Sequence, residues 1–346
     1  MALMTSLERS LCAIHHRPPD RIPVIPQAHA WIVDHYGSSA RELMGNGKLL
    51  AELALRGWHE FGWDGVFVGT DSVALAHALG LEVEYTDLGP TPDPHGMLDD
   101  LTQVDALAIP DIRKTRLNEW ITATRILSDQ IGQEVLIVAR GDQGAFTLAG
   151  QLRGMERFLL DIAAAEQEQE IHALLDFCNR YWLAFAGLLF EAGAHVVTIG
   201  DALASGSLIS PAAFERYALP YQRRLAAAVR HKGGLFGIHV CGDINRILPG
   251  LVASGAHMLE FDSPTRFKLA WEASRDRICL LGNVDTSEIM ARGTPQQVEE
   301  ECRWRIELVK PHGGFILSTG CAISPNVPEA NLRAMLESAR KYGGKL

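Results

Sequence analysis

Short apolar runs, each followed by a stretch of helical periodicity, recur through nearly the whole 346-residue chain, and this alternation limits the fold more than any other feature. The runs cover residues 22–27, 65–69, 134–139, 194–200, 234–239, 256–261, 278–282 and 314–319. Between them lie helical stretches such as 211–230, 264–274, 295–310 and 328–340, each opened by a proline suited to a first helical turn, and 244–253. Strand then helix, eight times over, predicts an α/β fold of one class: a single (β/α)8 TIM barrel over residues 1–346, its parallel strands closing on themselves. An open doubly wound sheet is the alternative topology. The residues before the first run form an N-terminal extension packed outside the barrel.

The 84–114 segment breaks the rhythm, with Gly89-Pro90, Thr91-Pro92, Asp93-Pro94 and Gly96 close together. It reads as a long loop after the second strand, lying at the rim of a barrel mouth.

With 47% hydrophobic residues the chain has ample material for a core, and its formal charge of −10 provides no bulk basic field. Nucleic acid and membrane surfaces are therefore not expected partners. Six cysteines form no dense disulfide framework, and the start carries no basic region followed by an apolar signal core. The apolar helical stretch 181–190 is far short of the ~20 residues needed to span a bilayer. A cytoplasmic, reduced protein is the expectation.

Polar residues fall at or just beyond the carboxyl ends of the predicted strands: Asp71, Gln143, Asp201, His239 with Cys241, Asp262, Asn283 and Cys321. In a parallel barrel those ends share one face, so residues far apart in sequence become neighbours around one pocket. His239 and Cys241 are two apart on one strand and point the same way, while Val240 points into the opposite layer. With Cys321 on the last strand they form an imidazole–dithiolate set of the kind that binds Zn(II) and leaves one coordination position open. The long gap before Cys321 is not a local motif, so spacing alone leaves open a buried histidine with two small apolar cysteines.

Asp71 and Asp201 are candidates for catalytic acid or base, or for binding a cationic group, with helix capping the alternative for Asp71. Asp262 is the third catalytic candidate: it could orient His239 through its second ring nitrogen or stand near the metal, with a cap for the helix before Pro264 the alternative. Gln143 lies in a glycine-bracketed loop, 140–147, that could offer an amide to a substrate; it is not a phosphate-binding loop of the Walker type.

Several motifs are similar to the uroporphyrinogen decarboxylase superfamily over essentially the full length. They are Asp20-Arg21-Ile22-Pro23-Val24, Gly144-Ala145-Phe146-Thr147, Gly200-Asp201-Ala202, His239-Val240-Cys241-Gly242-Asp243, Gly282-Asn283-Val284-Asp285 and Thr319-Gly320-Cys321. That resemblance implies a barrel with one of two chemistries: metal-free decarboxylation of a tetrapyrrole, or zinc-dependent methyl transfer involving a corrinoid protein. The decarboxylase branch has an arginine-bearing stretch after the first strand. Here Pro26-Gln27-Ala28-His29-Ala30-Trp31 stands in its place, which removes a clamp for carboxylates and makes His29 a substrate-binding candidate with Gln143 and Asn283. The methyltransferase branch matches at its ligands, falling on His239, Cys241 and Cys321. The resemblance therefore implies methyl transfer between a cobalamin-type corrinoid, carried by a separate protein, and a small thiol, methoxylated or methylamine-type substrate. Tetrapyrrole decarboxylation is the alternative.

Overall fold

The computed structural model describes residues 4–69, 71–86, 89–310 and 312–344. Seven parallel strands form one curled sheet: β1 Gly65–Val68, β2 Leu136–Gln143, β3 Val196–Gly200, β4 Leu235–Val240, β5 Met258–Phe261, β6 Cys279–Val284 and β7 Phe315–Thr319. Each pairs with the next in chain order. The intervening segments carry the helices, among them Leu117–Ile131 before β2, Glu168–Glu191 before β3 and Leu219–His231 before β4.

Strand alternation sorts the core into two layers. On β2, Leu136 and Val138 join an inner cluster with Ile25, Phe67, Val196, Met258, Cys279, Leu281 and Ile316, whereas Ile137 and Ala139 belong to the larger core beneath the helices. Both faces of these strands are buried, so they read as nearly continuous apolar runs.

The expected first strand, 22–27, is not a regular strand: its one sheet contact is a parallel bridge between Val24 and Leu317. Pro23 and Pro26 have no N–H to donate, and this interrupts the ladder. What pairing survives uses both neighbours. Leu317 N donates to Pro23 O and Ile25 N to Leu317 O, each at 2.9 Å, while Asp64 N donates to Val24 O at 2.9 Å. The segment thus lies between β7 and β1.

Asp64 holds it there. This fully buried carboxylate accepts from Arg9 Nη1 and Arg21 Nη1 at 2.7 Å, from Val24 N at 2.8 Å and from Ser6 Oγ at 2.9 Å. Arg9 also pairs with Asp20 at 2.6 Å.

The N-terminal extension forms the helix Ser6–Ile14, opened by a capping box between Thr5 and Glu8. It crosses the end of the sheet where the strands begin: Leu7 N bonds Glu134 O at 2.8 Å and Gly314 N bonds Ala13 O at 2.9 Å. Its Ala13 and Ile14 complete the inner apolar cluster. Burying Ile14 in this way is worth roughly 1.5–3 kcal/mol.

Two further departures concern the mouth. The 84–114 segment contains an antiparallel hairpin, Val83–Thr86 with Gly89–Pro92, followed by the short turns Leu101–Ala106 and Ile112–Lys114. Pro90 and Pro92 fall on one strand of this two-stranded ribbon, where a missing donor is tolerated. β2 also runs on to Gln143, past the expected end at 139, with a register shift between Arg140 and Gln143 and a positive φ of 64° at Asp142. A bulge of this kind re-aims the side chains that follow it.

Candidate metal centre

The ligand residues sit where strand alternation predicts. On β4 Phe236, Ile238 and Val240 pack outward under the helices, which leaves His239, and Cys241 just beyond it, on the inner side. Gly242, with φ 76°, turns the chain immediately afterwards. Cys321 follows β7 after Gly320, where a Cβ would lie 2.8 Å from both Asp262 Oδ1 and Ser263 N, so only glycine lets the chain pass this close to the β5 loop.

The three ligand atoms form a compact triangle. His239 Nε2 is 3.1 Å from Cys241 Sγ and 3.7 Å from Cys321 Sγ, and the two sulfurs are 3.9 Å apart. A tetrahedral zinc with Zn–S about 2.3 Å and Zn–N about 2.0–2.1 Å spaces its ligand atoms by roughly 3.5–3.8 Å. The donor set suits Zn(II) with one position left for an exogenous group; the two distances to Cys321 lie close to that spacing, and His239 to Cys241 is tighter at 3.1 Å. The sulfurs are too far apart for a disulfide, and all six cysteines are free.

Electrostatics bear on the same point. The Cys241 thiol and His239 hold the Cys321 sulfur well below the usual thiol range, while the bond to Cys321, together with burial, pushes Cys241 up. Burial lowers the His239 pKa, but the bond to Cys321 and the charges of Cys321 and Glu260 outweigh it and raise the net value.

The surroundings hold this triangle in place. Asp262, one residue past β5, accepts from Gly242 N at 2.9 Å and from Ser263 N at 2.7 Å. It fastens the turn behind Cys241. The carboxylate facing His239 Nδ1 is instead Glu260, at 3.6 Å and fully buried. Thr265 adds a second clasp, accepting from Ile244 N at 3.1 Å and donating to Gly242 O at 3.2 Å. On the other arm Thr319 Oγ1 donates to Cys321 O at 2.8 Å.

The remaining candidates are distributed around this centre. His29 opens the helix His29–His35, and burial and then the charge of Arg140 depress its pKa to about 3, leaving a neutral imidazole. The charge of Cys321 raises it and that of His239 lowers it further, and the ring lies tilted against Phe67 with centroids 6.5 Å apart. Gln143, buried at the end of β2 beside Gly200, has an Oε1 with no hydrogen-bond partner among the described residues. Asp71 is paired with both terminal nitrogens of Arg116, which also donates to Tyr85 OH at 2.6 Å, and it accepts from Val73 N at 3.1 Å.

Asp201 accepts from Thr147 N at 3.0 Å, Thr147 Oγ1 at 2.9 Å and Gln222 Nε2 at 2.9 Å, which ties the helix Ala145–Arg153 to β3. Asn283 donates to Asp262 O and Thr265 O and accepts from Arg305 Nε, so both ends of its amide are engaged in the wall. The structure thus gathers the three candidate ligands His239, Cys241 and Cys321 into one group. Asp262 supports that site, Asp71 belongs to a separate rim cluster, and Asp201 and Asn283 are bound into the walls.

Glu260, Arg140 and Thr265 were not singled out in the sequence. A signal existed for the first two: each is a charged residue two positions after an inward apolar one, Met258 or Val138, in the phase that His239 also follows. A second His/carboxylate group, His35 with Glu60 and Glu329, has its ligand atoms within 4.8 Å. Arg333 already pairs with Glu60 at 3.3 Å and Glu329 at 2.6 Å, which makes it an ion-pair network.

Known proteins similar to this chain include methylcobamide:CoM methyltransferases and uroporphyrinogen decarboxylases. The chain is 28% identical over 346 residues to methylcobamide:CoM methyltransferase MtbA of Methanosarcina acetivorans, covering 99% of each chain. It is 26% identical over 310 residues to uroporphyrinogen decarboxylase of Chlorobaculum tepidum, covering 86% of this chain and 85% of the other. Among solved structures, a methyltransferase from Methanosarcina mazei superposes with a TM-score of 0.88 at 25% identity, covering 98% of this chain and 99% of the other. The family model for uroporphyrinogen decarboxylase (URO-D) matches residues 5–342, and the chain belongs to that family.

Proposed function

We propose that this protein is a zinc-dependent methyltransferase that moves a methyl group between a corrinoid carried by a separate protein and a small thiol. The observation that carries the reading is the triangle of His239, Cys241 and Cys321. The similarity to methylcobamide:CoM methyltransferase MtbA over 99% of both chains supports it. In the direction we favour, the acceptor's S–H proton leaves to solvent and a C–S bond forms as the Co–C bond breaks. The electron pair of that bond stays on cobalt, taking Co(III) to Co(I).

Zinc held by these three residues would supply a Lewis acid that keeps an acceptor thiol nucleophilic at neutral pH. The chain's own residues do the rest. His239 presents Nε2 inward while its Nδ1 faces Glu260. Asp262 and Thr265 fix the Cys241 turn, and Thr319 fixes the Cys321 carbonyl. The apolar layer below, sealed by Ala13 and Ile14, keeps water from reaching the site from beneath. We read 22–27 as the eighth wall of a closed (β/α)8 barrel, since it bonds to both β7 and the residue before β1. We assign His29 and Gln143 to substrate contact, supported by the neutral imidazole of His29 and the unpartnered Oε1 of Gln143 among the described residues. Six free cysteines suit a reducing, cytoplasmic setting.

Arg140 is the inward-facing cation close to this centre, and it is already bonded to Gln27 and Glu260, an arrangement unlike a clamp for substrate carboxylates. The test follows the cobalt absorbance of methylcobalamin mixed with zinc-loaded protein and a panel of thiols. Thiol-dependent loss of the methyl–cobalt band, abolished by Cys321→Ser, is expected. Release of CO2 from a carboxylated tetrapyrrole with no such loss would overturn the proposal.

A further inference from the structure

The ligand set has two arms from different strands of the sheet: His239 and Cys241 lie at the end of β4, and Cys321 follows β7. One guanidinium links them. Arg140 follows Leu136 and Val138 in the inward phase of β2, and its Nη2 bonds Gln27 Oε1 at 2.5 Å and Glu260 Oε2 at 3.2 Å. Its guanidinium carbon lies 4.7 Å above the Phe67 ring, which limits its movement.

Each partner leads to a ligand. Glu260 is the register partner of His239, and the same Oε2 that meets Arg140 is 3.6 Å from His239 Nδ1. Gln27 reaches the other arm: its N and Nε2 donate to Thr319 Oγ1 at 3.2 Å and Thr319 O at 3.4 Å, and Thr319 Oγ1 donates to Cys321 O. Gln27 O also accepts from Ile323 N at 3.0 Å, two residues beyond Cys321.

We propose that Arg140 is a positioning residue for the metal centre: through Glu260 it orients His239, through Gln27 and Thr319 it places Cys321, and so it sets the spacing of the two arms. The proposal rests on the reading that His239, Cys241 and Cys321 hold zinc. Ligand orientation from outside the coordination sphere typically changes metal affinity by about 10–100-fold. A lysine at 140 keeps the charge, but its flexible ammonium lacks the planar guanidinium that lies over the Phe67 ring.

The test uses the full chain with Arg140→Met, Arg140→Lys and, as the control on the centre itself, Cys321→Ser. Zinc affinity is measured by competition with a chromophoric chelator, the thiolate-to-metal bands are recorded after Co(II) substitution, and the melting of the metal-free proteins is followed by circular dichroism. Arg140→Met is expected to bind zinc about 10–100-fold more weakly and to shift the Co(II) bands, with Arg140→Lys recovering part of the affinity. An affinity within about twofold of the parent and an unchanged Co(II) spectrum would overturn the proposal while leaving the zinc reading intact. If the parent binds no zinc, or Cys321→Ser binds it equally well, the zinc reading fails and this inference fails with it. Should Arg140→Met not fold, Gln27→Met cuts the Cys321 arm alone. Weaker zinc binding by that variant supports the proposal, and unchanged binding overturns it.

Discussion

The floor and the mouth of the inner core are built from the same strands two residues apart, yet they differ in kind. At the floor stand Leu136, Val138, Val196, Met258 and Ile316, packed against Ile14 of the N-terminal helix. One step up in the same inward phase stand Arg140, Thr198, His239 and Glu260, all on β2 to β5. Floor residues interact by contact with whatever fills the space, so exchanging one apolar side chain for another matters little beyond volume. Mouth residues interact through particular atoms, and a buried polar atom without its partner is costly. Stability should therefore reside mainly in the lower layer and chemistry in the upper.

Removing a ligand is the largest expected blow to the mouth. Cys321→Ser should lower methyl-transfer activity by about a thousandfold or more, several kcal/mol of transition-state stabilisation, and leave the protein without stoichiometric zinc by metal analysis. Its melting temperature in the metal-free state should barely move. A parallel collapse of fold and activity would break the distinction between the two layers.

A floor substitution should do the reverse. Leu136 is fully buried, and Leu136→Ala should cost about 2–5 kcal/mol in denaturant unfolding while zinc content per folded chain stays at the parent level. Loss of zinc from folded Leu136→Ala protein would show that the floor also sets the ligand geometry.

Asp201 sharpens the contrast, because it lies at the mouth end of β3 yet is bonded as a structural clasp. Asp201→Asn replaces an acceptor by a donor facing either Thr147 or Gln222, and should cost about 1–3 kcal/mol of unfolding free energy. Zinc affinity should not change. A drop in turnover by an otherwise stable Asp201→Asn protein would restore it as a catalytic residue.

The most gradual effect concerns pH. Asp142 is buried in the β2 bulge, and burial, reinforced by the charge of Asp71, raises its pKa to about 8. A carboxyl with a raised folded-state pKa contributes stability that is full below its ordinary range, near 3.8, and lost as pH rises toward 8. Its share of the decline is at most about 1.4 kcal/mol per pH unit. Asp142→Asn should flatten stability between pH 5 and pH 8, roughly the upper part of that window, in denaturant titrations at stepped pH. An identical slope in both proteins would mean that Asp142 is ionised in the folded state.

Much of this arrangement was legible in the chain. Strand–helix alternation predicted seven strands that are present, and the two-residue spacing of His239 and Cys241 placed both inside. The expected 22–27 strand shrank to one bridge because Pro23 and Pro26 lack donors, a signal present in the chain but outweighed by its apolar pattern. The strand expected to stop at 139 continued to Gln143 because Arg140 looks like a strand end when only hydrophobicity is followed. Inside a curled sheet whose upper layer is polar, a charged residue continues the strand.

By itself the sequence determined the periodicities, and with them which side chains face inward on each strand, since that follows from backbone geometry within a few residues. It also supplied the donor chemistry of His239, Cys241 and Cys321. Only the tertiary structure decided how far apart those donors lie, because the distance from Cys241 to Cys321 depends on curling all the strands between them into one sheet. The tertiary structure likewise gave the same carboxyl group different roles: Glu260 faces His239, Asp262 fastens a turn and Asp201 holds a helix. Those roles depend on which hydrogen-bond donors the packing brings within 3 Å or so of each oxygen, and such partners lie on other strands and loops, beyond the reach of local pattern.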